Sequence, residues 1–221
     1  MRRGLGALIA AAVVGALVWL LGVSSVFDVT AVEVDGASAE TLPAVRAAAQ
    51  VAPGSSLLWL DTADVDARVQ TIPRVATVDV RRALPHTVTV TVTEREPVAA
   101  MPLGTGVALV DGTGFAYRTM PAPPPGVPRL VLGPGLAAAP SDPTTVAAVR
   151  VLAALPADLR GRITELRAAS PYDVSFSLDA GRSVRWGADV DDARKAAVLG
   201  PLLSQPGSTY DVSTPDLPVV S

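Results

Sequence analysis

His86 is the only histidine in the 221 residues, and the chain has no cysteine. The side chains that most often carry nucleophilic or metal-assisted chemistry are therefore nearly missing. A Ser-His-Asp relay would have to use His86, which lies in a Leu84-Pro85-His86 turn, and neither a Cys-His pair nor a multi-histidine metal site can be assembled. Carboxylate pairs such as Asp191 and Asp192 are adjacent, so on a helix they diverge by about 100°. They suit a first turn, where they complement the helix dipole, better than general acid/base work. Gly104-Thr105-Gly106 and Gly112-Thr113-Gly114 lack the Lys-Ser/Thr of a phosphate loop and flank strands rather than a helix start. No catalytic residue, bound metal or cofactor is expected.

What the chain offers instead is pattern. From Pro73 to Ala100 runs PRVATVDVRRALPHTVTVTVTEREPVAA. Val88, Val90 and Val92 alternate with Thr87, Thr89, Thr91 and Thr93, a period of two that predicts a half-buried strand. Ahead of it Ala76, Val78 and Val80 share one face while Thr77, Asp79 and Arg81 share the other. Pro85 interrupts the ladder, so an antiparallel hairpin follows. Such a hairpin reads as a docking surface rather than an active site. Arg81, Arg82, Glu94, Arg95 and Glu96 are either a partner-facing cluster or solvated strand ends.

The front of the chain carries most of its apolar excess, with a mean hydropathy of +0.40 overall. Arg2 and Arg3 precede an uncharged run from Gly4 to Val23, long enough at about 1.5 Å per residue to span a hydrocarbon core of roughly 30 Å. A cleaved signal peptide is the rival, but its apolar region runs to only about 7–15 residues and ends at a small-residue A-x-A site. No such site follows Trp19-Leu20-Leu21, so a retained membrane anchor is expected over 4–26, through Gly4, Leu8, Val14, Trp19 and Val23. The arginines place the N-terminus, a tail of residues 1–3, in the cytoplasm and everything after Val26 outside. A formal charge of −3, with Lys195 as the only lysine, lacks the basic footprint of a nucleic-acid binder. An exported part without disulfides must stand on its packed core.

Phe27 to Gly36 predicts a first strand ending at an Asp35-Gly36 turn. Ser38 or Thr41 can cap a short helix bearing Leu42, Val45 and Ala49, and Asp61 can cap a second bearing Val65, Val69 and Ile72. With the hairpin this gives strand, helix, helix, strand, strand over 27–96. Two helices on one face of a three-stranded sheet would bury the valine faces. The remainder, 97–214, predicts a sheet-rich domain with two helices. Its hairpin, Val107–Val110 with Phe115–Tyr117, turns at Asp111-Gly112, expected to supply the positive φ. Met120 to Pro128 is a proline-rich loop. Asp142-Pro143 starts a helix striped by Val146, Val149 and Leu152. Strands follow at Ile163–Ala168, Val174–Leu178 and Val184–Trp186, then a helix from Asp189 to Leu203 and a last strand at Thr209–Ser213. The tail, 215–221, is expected to be flexible. Trp59, Trp186 and Tyr210 are expected as packing aromatics.

This order resembles the FtsQ/DivIB family of bacterial cell-division proteins, which carry a membrane anchor, a POTRA domain and a β domain. The resemblance rests on Phe27-x-Val29-x-x-Val32-x-Val34-x-Gly36, Gly54-x-x-Leu57 with Asp61, Ile72-Pro73-Arg74-Val75, Arg82-x-x-Pro85-x-Thr87 and Glu94-Arg95-Glu96-Pro97-Val98-Ala99. Further on it rests on Leu109-Val110-Asp111-x-x-Gly114, Asp179-x-Gly181, Val184-x-Trp186-Gly187 with Lys195, and Tyr210-Asp211-Val212-Ser213-x-Pro215. POTRA domains of outer-membrane assembly proteins precede a membrane barrel, whose repeated alternation of about ten residues is missing from this sequence.

The resemblance implies an α+β protein and a non-enzymatic, single-pass scaffold of the divisome in the inner membrane at the septum. The partners it implies are FtsB, FtsL and the septal wall synthase pair, with no small-molecule substrate. In the family the last strand of the β domain accepts a strand from FtsB, and here that strand maps to Thr209, Tyr210, Asp211, Val212 and Ser213. The POTRA edge, by the same resemblance, is the strand holding Val75, Thr77, Asp79 and Arg81. Two other readings remain: an anchored interaction module for secretion or envelope assembly, and an anchored wall enzyme, which would need an acid/base pair that the sequence does not display.

Overall fold

A computed structural model describes residues 12–15, 19, 27–140 and 142–221. Of the expected anchor residues, Val14 and Trp19 are helical and exposed, while Gly4, Leu8 and Val23 lie outside the described residues. Among the described residues no helix is long and apolar enough to cross a membrane.

The chain divides into two compact units, up to Arg95 and from Glu96. The first unit begins as Phe27 to Val29 lie against the 55–57 segment, with Asp28 bridging Ser56 and the Leu57 N–H donating to the Phe27 oxygen at 2.7 Å. The strand expected from Phe27 is therefore shorter, β1 at Ala31–Asp35. Helices α1 (Leu42–Ala49) and α2 (Thr62–Gln70) follow, then β2 (Val75–Ala83) and β3 (Thr87–Glu94). The sheet order is β1-β3-β2, with β1 parallel and β2 antiparallel to β3. The uninterrupted Val/Thr alternation thus takes the centre, and β1 and β2 are the edges. Val88, Val90 and Val92 pack with Val45, Ala49, Leu57, Val65 and Val69 into one core.

Helix α2 starts where Asp61 accepts the N–H groups of Ala63 and Asp64 at 3.0 and 3.2 Å, the cap that sequence chemistry predicts. Thr41 stands before α1 without a side-chain cap bond, and Pro43 occupies the first turn, where its missing donor costs nothing.

The second unit is a nine-stranded sheet in the order β12-β11-β10-β9-β8-β7-β4-β5-β6. Its strands are β4 (Ala99–Leu103), β5 (Gly106–Val110), β6 (Ala116–Met120), β7 (Arg129–Leu132), β8 (Ile163–Ser170), β9 (Asp173–Leu178), β10 (Ser183–Gly187), β11 (Thr209–Asp211) and β12 (Val219–Val220). Helices α3 (Pro143–Ala154), the short α4 (Ala157–Arg160) and α5 (Asp192–Leu202) complete it, one more than the two helices expected. The main core gathers Leu130, Val151, Leu166, Phe176, Val184, Trp186, Leu199 and Tyr210.

Three strands were not expected from the sequence. β4 and β7 are short and bounded or interrupted by proline, which hides their alternation, yet β7 joins the β4-β5-β6 meander to β8 by parallel pairing on both sides. β12 lies in the tail expected to be flexible.

Two local expectations are corrected. The β5–β6 turn has its positive φ at Gly114, not at Asp111-Gly112. Asp111 also acts through its side chain, whose Oδ1 accepts the N–H groups of Thr113 and Phe115, each at 2.9 Å, beside the main-chain bond from the Gly114 N–H to the Asp111 oxygen at 3.0 Å. In α3, Val146 is only half-buried, and the inward face is wider, including Thr145, Ala148, Val151 and Leu152.

Candidate partner-binding strand edges

A strand at the rim of a sheet leaves a row of main-chain N–H and C=O groups unpaired, and these are the groups another chain can bind. In the first unit β2 is such a rim. Its Val75 is fully buried, whereas Thr77, Asp79 and Arg81 are exposed on the face away from the helices. Arg81 lies 2.6 Å from Asp79 on this face. Arg82 points the other way and donates to the Leu60 oxygen at 2.7 Å. The base of β2 is fixed by Arg74, which bridges Glu40 at 2.8 Å and Glu94 at 3.3 Å. Glu94 also accepts the Ser38 N–H at 2.7 Å. Burial tends to raise the Glu94 pKa, but hydrogen bonds from Thr41 and Ser38 and the Arg74 charge outweigh it and hold the carboxyl below its ordinary value.

At the far end of the second unit the expectation changes. Thr209 to Ser213 is not an exposed edge, because β11 is sandwiched between β10, to which it runs parallel, and β12, to which it runs antiparallel. The reason is the tail. Thr214 to Leu217 turns, with the Leu217 N–H donating to the Thr214 oxygen, and the chain returns so that Val219 and Val220 oppose Asp211 and Tyr210. Thr209 and Ser221 exchange both main-chain hydrogen bonds, at 2.9 and 3.0 Å. Antiparallel ladders alternate between such bonded pairs and unbonded ones, so the Val220 N–H and C=O face outward. The open edge belongs to β12.

The expected β11 residues have other tasks. Tyr210 is buried, and its hydroxyl donates within reach of the Gln205 and Gly207 oxygens, each at 2.9 Å. Val212 is buried and its N–H donates to the Arg185 oxygen at 3.0 Å. Asp211 accepts the Ser213 N–H at 2.9 Å and its hydroxyl at 2.6 Å, which shapes the exit of the strand. Only Thr209 is exposed. The signal that could have located the true edge was Val219-Val220, a β-branched pair after Pro218, too short for a period-two test.

One cleft in the second unit, of about 290 Å³, is lined by Glu96, Val98, Pro128, Val149, Leu152 and Arg160 among others. Glu96 is the single carboxylate of that lining, so no pair of acid and base converges there. Among the described residues no three His, Cys, Asp or Glu side chains are gathered to hold a metal ion.

A β-α-α-β-β unit followed by a nine-stranded sheet with its helices is the architecture of a POTRA domain joined to a β domain. The FtsQ-type POTRA domain family matches residues 27–95, and the C-terminal domain of cell division protein FtsQ/DivIB matches residues 99–217. The chain belongs to the FtsQ/DivIB family of cell-division proteins. It is 43% identical over 187 residues to the cell division protein FtsQ of Mycobacteroides abscessus, covering 85% of this chain and 59% of that protein. It is 41% identical over 223 residues to the FtsQ of Mycolicibacterium smegmatis, covering 99% of this chain and 66% of that one. With the FtsQ of Streptomyces venezuelae the identity is 38% over 210 residues, covering 92% and 78%. The chain thus spans about three fifths to two thirds of the first two of these curated relatives.

Proposed function

We propose that the chain is a non-catalytic, membrane-anchored scaffold of the divisome, held by an anchor over 4–26 whose apolar run is Gly4 to Val23, with its two folded units outside, at the septum. It works by strand addition to divisome proteins of the FtsB, FtsL and septal wall synthase type. The observation that carries the reading is the outward-facing main chain of Val220 at the rim of the nine-stranded sheet. A partner strand laid there would gain backbone bonds without disturbing the core, and the adjacent side chains would supply selectivity. The docking site is therefore assigned to Val219 and Val220, with Thr209 to Ser213 as the platform behind them. The β2 rim, with Thr77, Asp79 and Arg81, is a second and separate contact.

The alternation of the β12 ladder supplies the test. Val220→Pro removes an outward donor while sparing the bonds to β11, whereas Val219→Pro breaks the inward ladder. Co-purification of full-length chain with its FtsB-type partner should be lost in both variants, but only Val219→Pro should loosen β12 itself. Septal localisation and rescue of a depleted strain should follow the same order. Unchanged capture by Val220→Pro would overturn the assignment of the edge, and intact septation after depletion would overturn the divisome role.

A further inference from the structure

Phe27 enters the POTRA unit at one end of its sheet, and that end carries exposed apolar side chains. The Thr30 N–H donates to the His86 oxygen at 2.9 Å, which ties the entry segment to the β2–β3 turn. Leu84, in that turn, is 64% exposed. Trp59 is 69% exposed and lies two residues beyond Leu57, whose N–H binds the Phe27 oxygen. Arg82 reaches the neighbouring Leu60 oxygen, so the turn and the 57–60 segment sit together. Arg81 and Arg82 are both exposed at this end. Of the carboxylates near this end, Asp61 is engaged in capping α2 and Asp79 in pairing Arg81, while Asp28 adjoins Phe27.

Sequence length says what covers this surface. Only Ser24, Ser25 and Val26 separate the apolar run from Phe27. At no more than about 3.6 Å per residue, Phe27 stands within roughly 14 Å of the hydrocarbon boundary. The headgroup layer on one side of a bilayer is itself about 5–8 Å deep. The domain end at Phe27 thus has little choice but to meet the lipid. Tryptophan is suited to that layer because its ring is apolar and its N–H polar, and arginine forks match phosphate.

We propose that Trp59 and Leu84, flanked by Arg82, form a lipid-contact surface by which the POTRA unit rests on the outer headgroup layer of its own membrane. The inference depends on the membrane-anchored reading given above. Its consequence is a fixed orientation: the β2 rim stands up from the bilayer instead of swinging on a free linker.

The lack of cysteine allows single-site labelling of the full chain in phosphatidylcholine vesicles containing nitroxide lipids. A fluorophore is placed at Leu84→Cys, at Thr93→Cys near the opposite end of the sheet, or at Trp19→Cys in the apolar run. Trp59 is followed by its own emission in Trp19→Phe chain, because Trp186 is buried. Shallow nitroxides should remove most of the emission at positions 84 and 59 and little at 93, while deep nitroxides quench position 19. Quenching at 19 with none at 84 and 59 overturns the lipid contact and leaves the anchor standing. Equal quenching at 84 and 93 also overturns it, since the domain would then lie on its side. No quenching at 19 removes the anchor, and the lipid contact falls with it.

Discussion

The ammonium of Lys195 donates to the main-chain oxygen of Trp186 at 3.0 Å and to that of Ala188 at 2.7 Å. It ties the start of α5 to the end of β10, one strand away from β11. Trp186 returns a bond, its indole N–H donating to Asp192 at 2.7 Å, and the Lys195 ammonium lies 5.8 Å from the centre of that ring. A buried cation with no carboxylate in contact is costly unless carbonyls satisfy it. Here they do, and Asp192, Asp191, Asp189 and Asp211 add a negative field around it.

Burial nevertheless dominates, so the Lys195 pKa is lowered from its ordinary value, with the four aspartates opposing the shift. Because it is the only lysine, its side-chain resonance can be followed alone in an NMR titration. The signal should titrate below the usual lysine range. Between the folded and unfolded pKa values the unfolded chain binds more protons, so stability should rise with pH across that window. Lys195→Met should abolish the rise and, by stranding two carbonyls, cost about 1–3 kcal/mol in denaturant unfolding. An ordinary lysine titration would refute the first point.

Glu94 gives the same slope with pH in an acid window, from the opposite cause: its charged form is favoured in the fold, where that of Lys195 is penalised. Its folded pKa is lowered, because Thr41, Ser38 and Arg74 outweigh the opposing effect of burial. The stabilisation is present above the unfolded glutamate value and is lost as pH falls through the folded one. Acid unfolding followed by the POTRA signals should shift to lower midpoint pH in wild type relative to Glu94→Gln. Coincident acid curves for the two chains would show that the cluster with Ser38 and Arg74 adds nothing.

The core of the POTRA unit should respond to face, not to strand. Val90 is fully buried between sheet and helices, while Thr91 is exposed on the opposite face. Val90→Ala should cost about 2–3 kcal/mol, from lost methyl burial and the cavity left behind. Thr91→Ala should lie near zero, within about 0.5 kcal/mol. Urea midpoints of the two variants decide it, and equal losses would mean that the β3 alternation does not set the burial.

How far the sequence discloses this fold varies with the length of each signal. The Val/Thr alternation of β3 and the Asp61 cap repeat or sit beside unambiguous chemistry, and both are where the pattern places them. β7 shows only Arg129–Leu132 between prolines, and its strand character comes from pairing with β4 and β8, partners far off in sequence. The β12 edge is the sharper case. Tyr210-Asp211-Val212-Ser213 is a longer and better strand signal than Val219-Val220, so pattern alone puts the rim one strand too far in. Nothing local to the tail reports that Gly207 leaves room for Val220 to return.

That room can be closed with one methyl group. A Cβ at Gly207 would overlap Val220 Cγ1, with the Ser221 oxygen and the Tyr210 ring 3.4 and 3.7 Å away. Valine is stiff at χ1 and cannot easily turn aside, so Gly207→Ala should push β12 off β11 and leave the core around Trp186 intact. Amide exchange at Thr209 and Ser221 should quicken by about tenfold or more, equivalent to some 1.4 kcal/mol of local opening. Capture of a strand-adding partner should weaken in parallel, because the outward main chain of Val220 would lose its fixed position. If exchange quickens while capture is unchanged, the partner binds elsewhere than β12. If exchange does not change, Val220 has found another rotamer and the packing at Gly207 does not hold the edge in place.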